Sequence, residues 1–273
     1  MYDFYFGSLE HILENEEEYL LFVKRLLPRW VNSIPDSEYL AIFDILNKIN
    51  LNDNKPIIAE TGSGASSLVM LYYAMKNNGI VYTWDTNGSK GSFLKGVANE
   101  TFGQVFNRPL SEHWRFIAYS SINKYLGINI LHELDERIDF CFIDSLHTLD
   151  HLLGELELLR KNFKKEVFVA IDDANYKQKS VNVPYINMFR KKLGLSPIKE
   201  PVNNECREYY LEVEEYLLKY FNVKKINDKY KKLCSEDIYF SYYESDKKVA
   251  SKMGMEKFKM LKHRFDAWHV TSL

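Results

Sequence analysis

The spacing of apolar residues changes twice along the chain. Up to Leu26 it is helical, with Leu9, Ile12, Tyr19, Leu20, Phe22 and Val23 in step and Pro28 closing the run. A second helix is predicted from Ser37 to about Ile49, where Tyr39, Leu40, Ile42, Phe43 and Leu46 share a face. The pattern then shifts to short apolar runs separated by helical stretches. Strands are predicted at Pro56–Ala59, Val81–Trp84, Arg115–Tyr119, Ile138–Ile143 and Val167–Ile171, and the clearest intervening helix at Leu149–Phe163. Such alternation argues for an α/β fold: a doubly wound, mostly parallel sheet covered on both faces. From Tyr185 the helical period returns. Tyr209, Tyr210, Val213, Tyr216, Leu217 and Tyr220 make an aromatic stripe that reads as core rather than as a ligand box. Ile238–Tyr243 reads as a late strand and Lys252–Trp268 as a terminal helix. No repeat or low-complexity tract interrupts the chain. It divides into a helical N-terminal extension or lid at 1–50, a central domain at 51–248 with a helical insertion at about 185–221, and a C-terminal helix at 249–273.

The candidate chemistry lies where the predicted strands end, because ligands of an open parallel sheet bind beyond the carboxyl ends of its strands. The first strand runs into Glu60-Thr61-Gly62-Ser63-Gly64-Ala65-Ser66-Ser67 and then a helix. Closely spaced glycines there allow positive φ and a close backbone approach to a ligand at the start of that helix. The second strand ends at Asp85, placed to take two ribose hydroxyls, and the third at Tyr119-Ser120-Ser121. The fourth ends at Asp144-Ser145-Leu146-His147 and the fifth at Asp172-Asp173-Ala174-Asn175. Four of these five ends carry carboxylates, more than helix capping alone would supply. A dinucleotide loop wants G-x-G-x-x-G, but the third glycine position holds Ser67, and Glu60 would repel a pyrophosphate. An acid there suits a cofactor with a cationic amino group and no phosphate, which describes S-adenosylmethionine.

These residues carry a family resemblance. Glu60-x-Gly62-x-Gly64-x-Ser66 resembles the E/D-x-G-x-G-x-G loop of class I S-adenosylmethionine-dependent methyltransferases, with serine in the last glycine position, and Asp85 matches that family's second-strand acid. The run Ile138-Asp139-Phe140-Cys141-Phe142-Ile143-Asp144-Ser145-Leu146-His147 resembles the D-x-x-F-I-D-x-x-H signature of its macrocin-type and cephalosporin-pathway branch. The resemblance covers about residues 55–175 and departs at Ser145-Leu146. It implies a Rossmann-like, seven-stranded methyltransferase sheet. It also implies a cofactor site of Glu60, Thr61, Gly62, Ser63, Gly64, Ser66, Asp85, Ser120 and Asp144. Mg²⁺ would be held by Asp144, Asp172 and Asp173, and His147 would act as general base beside Asp144. Independently of the family, three carboxylates from adjacent strand ends make a hard oxygen site suited to Mg²⁺, Ca²⁺ or Mn²⁺. Asn175 and Tyr176 are candidates for the acceptor pocket.

Composition narrows the partners. The chain has 273 residues, 46% hydrophobic and 27% charged, with a formal net charge of -2. That balance gives no electrostatic case for nucleic acid or an anionic membrane, and no N/D-P-P-Y/F-type motif is present. No run approaches the roughly 18 apolar residues of a membrane span, and the first residues lack a signal-peptide pattern. Cys141, Cys206 and Cys234 lack metal-ligand spacing, Cys141 reading as a buried thiol. A cytoplasmic, bacterial protein is expected. The basic runs Lys161–Lys165 and Lys224–Lys232 read as solvated faces, and His263 and His269 have no visible partners. Met253–Trp268 would be an amphipathic contact helix for a homo-oligomer. The expected activity is O-methylation of a small polar acceptor, a sugar or nucleotide-linked sugar, assisted by Mg²⁺. Its rivals are a metal-free methyltransferase on another atom, a nicotinamide-dependent oxidoreductase and a non-catalytic cofactor-binding scaffold.

Overall fold

A computed structural model describes residues 7–28, 30–51, 54–176, 183–198, 208–230 and 263–273. The N-terminal helical pattern becomes α1 (Leu9–Glu14), α2 (Glu16–Arg25) and α3 (Asp36–Leu46). Lys24 on α2 is buried against Asp36 of α3 at 2.9 Å, and Arg25 reaches the same carboxylate at 2.9 Å, which fixes the angle between the two helices. The β-branched runs form β1 (Ile57–Thr61), β2 (Ile80–Trp84), β3 (Trp114–Ile117), β4 (Ile138–Ile143) and β5 (Phe163–Ile171). Between them lie α4 (Ala65–Lys76), α5 (Gly88–Ala98) and α6 (Leu149–Leu159). Then come α7 (Val183–Lys192), α8 (Tyr209–Leu218), β6 (Phe221–Lys225) and β7 (Asp266–Ser272).

The strands form one seven-stranded sheet in the order β3-β2-β1-β4-β5-β7-β6. The first five are parallel, and β7 runs antiparallel between β5 and β6. This is the seven-stranded, Rossmann-like, mostly parallel sheet that the sequence led one to expect. The chain winds outward from β1 through β2 to β3, then crosses back to β4, so the switch point falls at the tips of β1 and β4. β1 and β4 are buried along their whole length, as a central strand covered on both faces must be.

Two apolar layers flank the sheet. One joins Tyr19, Val23, Tyr39 and Phe43 of the N-terminal helices to Leu68–Met75 of α4. The other packs Leu152, Leu153 and Leu156 of α6 against Val213, Tyr216 and Leu217 of α8, so most of the aromatic stripe is core. The terminal helix expected at Lys252–Trp268 is corrected over its described end, where Asp266–Trp268 belong to β7. The reason is the period of the segment: Phe265 and Ala267 enter one layer, Trp268 and Val270 the other. A helix could not feed both layers from adjacent residues, whereas a strand with alternating faces does. The remainder of that segment and the strand expected at Ile238–Tyr243 lie outside the described residues. The helix expected to reach Phe163 ends at Leu159 and a short turn, because Phe163 already pairs with Ile138. His263 and His269 have partners after all: His263 lies 2.7 Å from Asp228 and 2.9 Å from Ser37 Oγ, and His269 Nε2 lies 2.6 Å from Glu166. Among the described residues no helix is long and apolar enough to cross a membrane.

Candidate active site

The glycine loop is a closed piece of hydrogen bonding. Gly62 takes φ +81°, and a Cβ there would stand 1.9 Å from the Asp144 carbonyl oxygen, so the position accepts only glycine. Its N–H donates to Trp84 O at 2.8 Å. Ser63 donates to Asp85 Oδ2 through both its N–H (2.9 Å) and its hydroxyl (2.6 Å), and Gly64 N–H donates to Ser67 Oγ at 3.2 Å. Ala65 N–H, at the start of α4, donates to Val31 O at 2.8 Å, so the N-terminal segment caps this helix. Four successive N–H groups thus have protein acceptors, and the loop is not a phosphate cradle of the kind dinucleotide folds use.

Glu60, expected in the cofactor site from its place before the loop, has no surface open to solvent. It is wholly buried behind the loop, accepting from Ser66 Oγ and Ser67 Oγ at 2.7 Å and from Thr83 Oγ1 at 2.9 Å. Burial pushes its carboxyl up to about 7 although all three hydroxyls pull the other way. Thr61, Ser66 and Ser67 are buried with it. These residues shape the loop from within.

A cavity of about 330 Å³ opens in front of the loop. Gly62, Asp85, Ser120 and Asp144 of the expected site line it, together with Trp84, Lys90, Tyr119, Ser121, Ser145, Leu146 and His151. Asp85 is already oriented: Oδ1 accepts from Asn87 N–H at 2.7 Å, and Lys90 Nζ sits 3.4 Å from Oδ2 while donating to Ser63 O at 2.8 Å.

The β4 and β5 tips are different. Asp144 and Asp172 are bonded side chain to side chain, and Glu38, from the first turn of α3, joins Asp172. Burial raises all three carboxyls, and the neighbouring carboxylates raise Glu38 and Asp144 further. Glu38 Oε1 accepts from Arg264 N–H, and Oε2 is buried. Asp173 does not point into this group. Its Oδ2 is 2.7 Å from His147 Nδ1 and its Oδ1 accepts from Arg264 Nη1 at 2.6 Å. Burial opposes its ionisation, but the His147 and Arg264 hydrogen bonds outweigh it and hold the carboxyl below its ordinary value. The same hydrogen bond raises His147 against the effect of its own partial burial. Asp173 also takes φ +50°, which turns it out of line with Asp172.

The trio Asp144, Asp172 and Asp173 therefore does not converge as one ligand set. Among the described residues no group of three His, Cys, Asp or Glu is placed to hold a metal ion. His147 is not part of the cavity lining; Tyr209 Oη lies 3.5 Å from its carbonyl oxygen, and the Tyr176 ring is tilted against Tyr209 with centroids 5.4 Å apart. Glu38, Arg264 and the buried Glu155 behind the cavity were missed in the sequence. The one usable signal was Glu38, an acid at a helical position flanked by the apolar face of α3.

Residues 59–174 match the family described as a methyltransferase domain. No curated protein sequence matches the chain. Among solved structures, an O-methyltransferase from Bacillus cereus in complex with S-adenosylhomocysteine aligns at 12% identity over 94% of this chain and 90% of its own, with a TM-score of 0.44. The O-methyltransferase TomG from Streptomyces achromogenes, in complex with S-adenosylmethionine, aligns at 11% identity over 86% of this chain and 79% of its own, TM-score 0.44. The magnesium protoporphyrin IX methyltransferase from Synechocystis, with bound S-adenosylhomocysteine, aligns at 11% identity over 90% and 89%, TM-score 0.44. The match to that methyltransferase-domain family thus runs from β1 to the tip of β5.

Proposed function

We propose that the chain is an S-adenosylmethionine-dependent O-methyltransferase acting on a hydroxyl of a small polar acceptor, a sugar or nucleotide-linked sugar. The observation that carries this reading is the pairing of two features at one switch point. A glycine loop with its N–H groups already satisfied, beside Asp85, favours a cofactor without phosphate. A His147–Asp173 pair stands next to Asp144, where the cofactor cavity ends.

The chemistry asks little of the protein beyond positioning and deprotonation. His147 Nδ1 faces Asp173, which fixes the proton on that nitrogen and leaves Nε2 to accept one. Bound S-adenosylmethionine would supply an activated methyl group, and His147 Nε2 would take the proton that the acceptor hydroxyl loses as that methyl is transferred. Tyr176 and Tyr209 supply an aromatic wall beside His147 for the acceptor. A cation-assisted form is the second reading: Asp144, Asp172 and Glu38 neighbour one another without being placed as a ligand set, so a cation would have to draw their carboxylates together. In that case the cation would lower the acceptor's hydroxyl pKa.

Calorimetric titration with S-adenosylmethionine, then with Mg²⁺ in the presence of S-adenosylhomocysteine, tests both. Micromolar cofactor binding is expected, and its absence overturns the methyltransferase reading. A metal isotherm lost in Asp172→Asn selects the cation-assisted form. Cofactor binding with no metal isotherm selects the His147–Asp173 form alone.

A further inference from the structure

Asp173 is held from two sides. Its Oδ2 lies 2.7 Å from His147 Nδ1 and its Oδ1 accepts from Arg264 Nη1 at 2.6 Å, so one carboxylate separates the ring from the guanidinium. Both groups are open to solvent: the His147 side chain is 49% exposed and that of Arg264 42%. Arg264 is anchored by its backbone just before β7. Its N–H donates to Glu38, and its carbonyl accepts from Ala174 N–H at 2.6 Å. The side chain is committed through Nη1 alone. Among the described residues, Nε and Nη2 have no hydrogen-bond partner.

An arginine meets an oxyanion best through two parallel N–H groups, and a half-exposed guanidinium with two unused nitrogens offers such an edge. Asp173 divides its two oxygens between His147 and Arg264, so it matches the arginine's charge incompletely. Glu38, among the acids behind it, reaches Arg264 at the backbone N–H and not at the guanidinium. Tyr176, 43% exposed, follows Asp173 on the same strand-end segment, and its carbonyl accepts from Tyr209 N–H at 3.0 Å. An acceptor whose hydroxyl faces His147 therefore has an aromatic surface and a cationic edge within reach.

We infer that the acceptor is anionic, carrying a phosphate or carboxylate near the hydroxyl that is methylated, and that Arg264 is the specificity-determining residue that binds this group through Nε and Nη2. This rests on the methyltransferase reading with His147 at the acceptor hydroxyl, and it narrows the acceptor to a sugar that bears a charge. A neutral sugar leaves the guanidinium edge to water and gains little from it, whereas an oxyanion gains charge-assisted hydrogen bonds. Arg264 holds the anion beside the reacting hydroxyl and takes no part in the proton transfer.

The test compares three small probes: glucose, glucose 1-phosphate and glucuronate. Each is titrated into the whole chain saturated with S-adenosylhomocysteine, with EDTA present, and followed by ligand-observed NMR. The wild type is expected to bind at least one anion about tenfold or more tightly than glucose, the worth of a charge-assisted hydrogen bond. A preference for the phosphate identifies a phosphorylated or nucleotide-linked acceptor, and a preference for glucuronate a uronic acid. Arg264→Gln should bring the three affinities to within about twofold, with S-adenosylhomocysteine affinity changed by less than about twofold. Arg264→Lys keeps a cation for Asp173 but lacks the planar fork, so it should retain only part of the preference. Far-ultraviolet circular dichroism checks that both variants fold, and the lysine variant decides alone if the other does not. An undiminished preference in the folded variants overturns the inference while leaving the cofactor reading standing. So does a wild type that binds glucose as well as either anion, or binds none of the three. Failure of the wild type to bind S-adenosylhomocysteine overturns the cofactor reading, and this inference with it.

Discussion

At the β1 and β2 tips the polar groups answer one another, whereas at the β4 and β5 tips like charges are held together. Around the glycine loop, Glu60 is matched by three hydroxyls, Asp85 by Ser63 and Asn87, and the loop N–H groups by protein acceptors. Across the switch point, Glu38, Asp144 and Asp172 face each other with their carboxyls raised, and only Asp173 has found cationic partners. A satisfied network specifies one shape, and that is what a cofactor-shaped loop requires. An arrangement of unmatched carboxylates costs stability, and proteins keep such costs where chemistry needs them. On the proposed function, shape falls to one half of the site and reactivity to the other.

The sharpest way to break that assignment is on the reactive side. His147→Ala should lower turnover by roughly 10²–10⁴-fold, the range for loss of a general base, while the S-adenosylhomocysteine affinity stays within about twofold. Steady-state rates and calorimetry on the same preparation check both halves, and a wild-type rate would reduce His147 to a bystander. On the shape side the largest effect is expected at Gly62. Gly62→Ala forces a Cβ into the Asp144 carbonyl at a positive φ, so denaturant titration should show a loss on the order of 3–4 kcal/mol.

Glu60 gives a pH signature that belongs to the shape side alone. Its carboxyl sits at about 7 in the fold, above its value in an unfolded chain. The folded state therefore holds a proton that the unfolded state releases, and stability is fully present below the unfolded value and lost as pH rises through about 7. Thermal midpoints between about pH 4.5 and about pH 8 should fall in the wild type, by up to about 3 kcal/mol in stability, and stay flatter in Glu60→Gln. A slope equal in both would mean that Glu60 is not the group responsible. The smallest effect has the opposite sign. Glu38→Gln removes one of three facing carboxyls and should raise the denaturation midpoint, by about 1 kcal/mol, while lowering turnover. Loss of both stability and turnover would show that the acid cluster is structural.

Much of this was legible from residue pattern. The helical and two-residue periods located β1, β2, β4 and α6 to within a few residues, because burial on a fixed face leaves a periodic trace. The short-range motif Gly62-Ser63-Gly64 and the strand-end acids marked the site because a strand tip and the turn after it are contiguous in sequence. β7 is hard to see because its alternation is only seven residues long and follows a segment with helical spacing. β6 leaves no clear trace because an edge strand needs no buried face, and its last two residues, Lys224 and Lys225, already belong to a basic run.

The sequence by itself determined the α/β class, the position of the switch point and the residue types available there. Only the tertiary structure decided how those residues divide their work. Glu60 turned inward because three hydroxyls from β2 and α4 surround it. Asp173 left its neighbour Asp172 because Arg264, ninety-one residues later, and His147 both claim it. Glu38 entered the site from α3 because the helical layer is packed into the core rather than appended to it. Each of these is a partnership between groups far apart in the chain, and no local pattern records a partner that folding alone brings within a hydrogen bond.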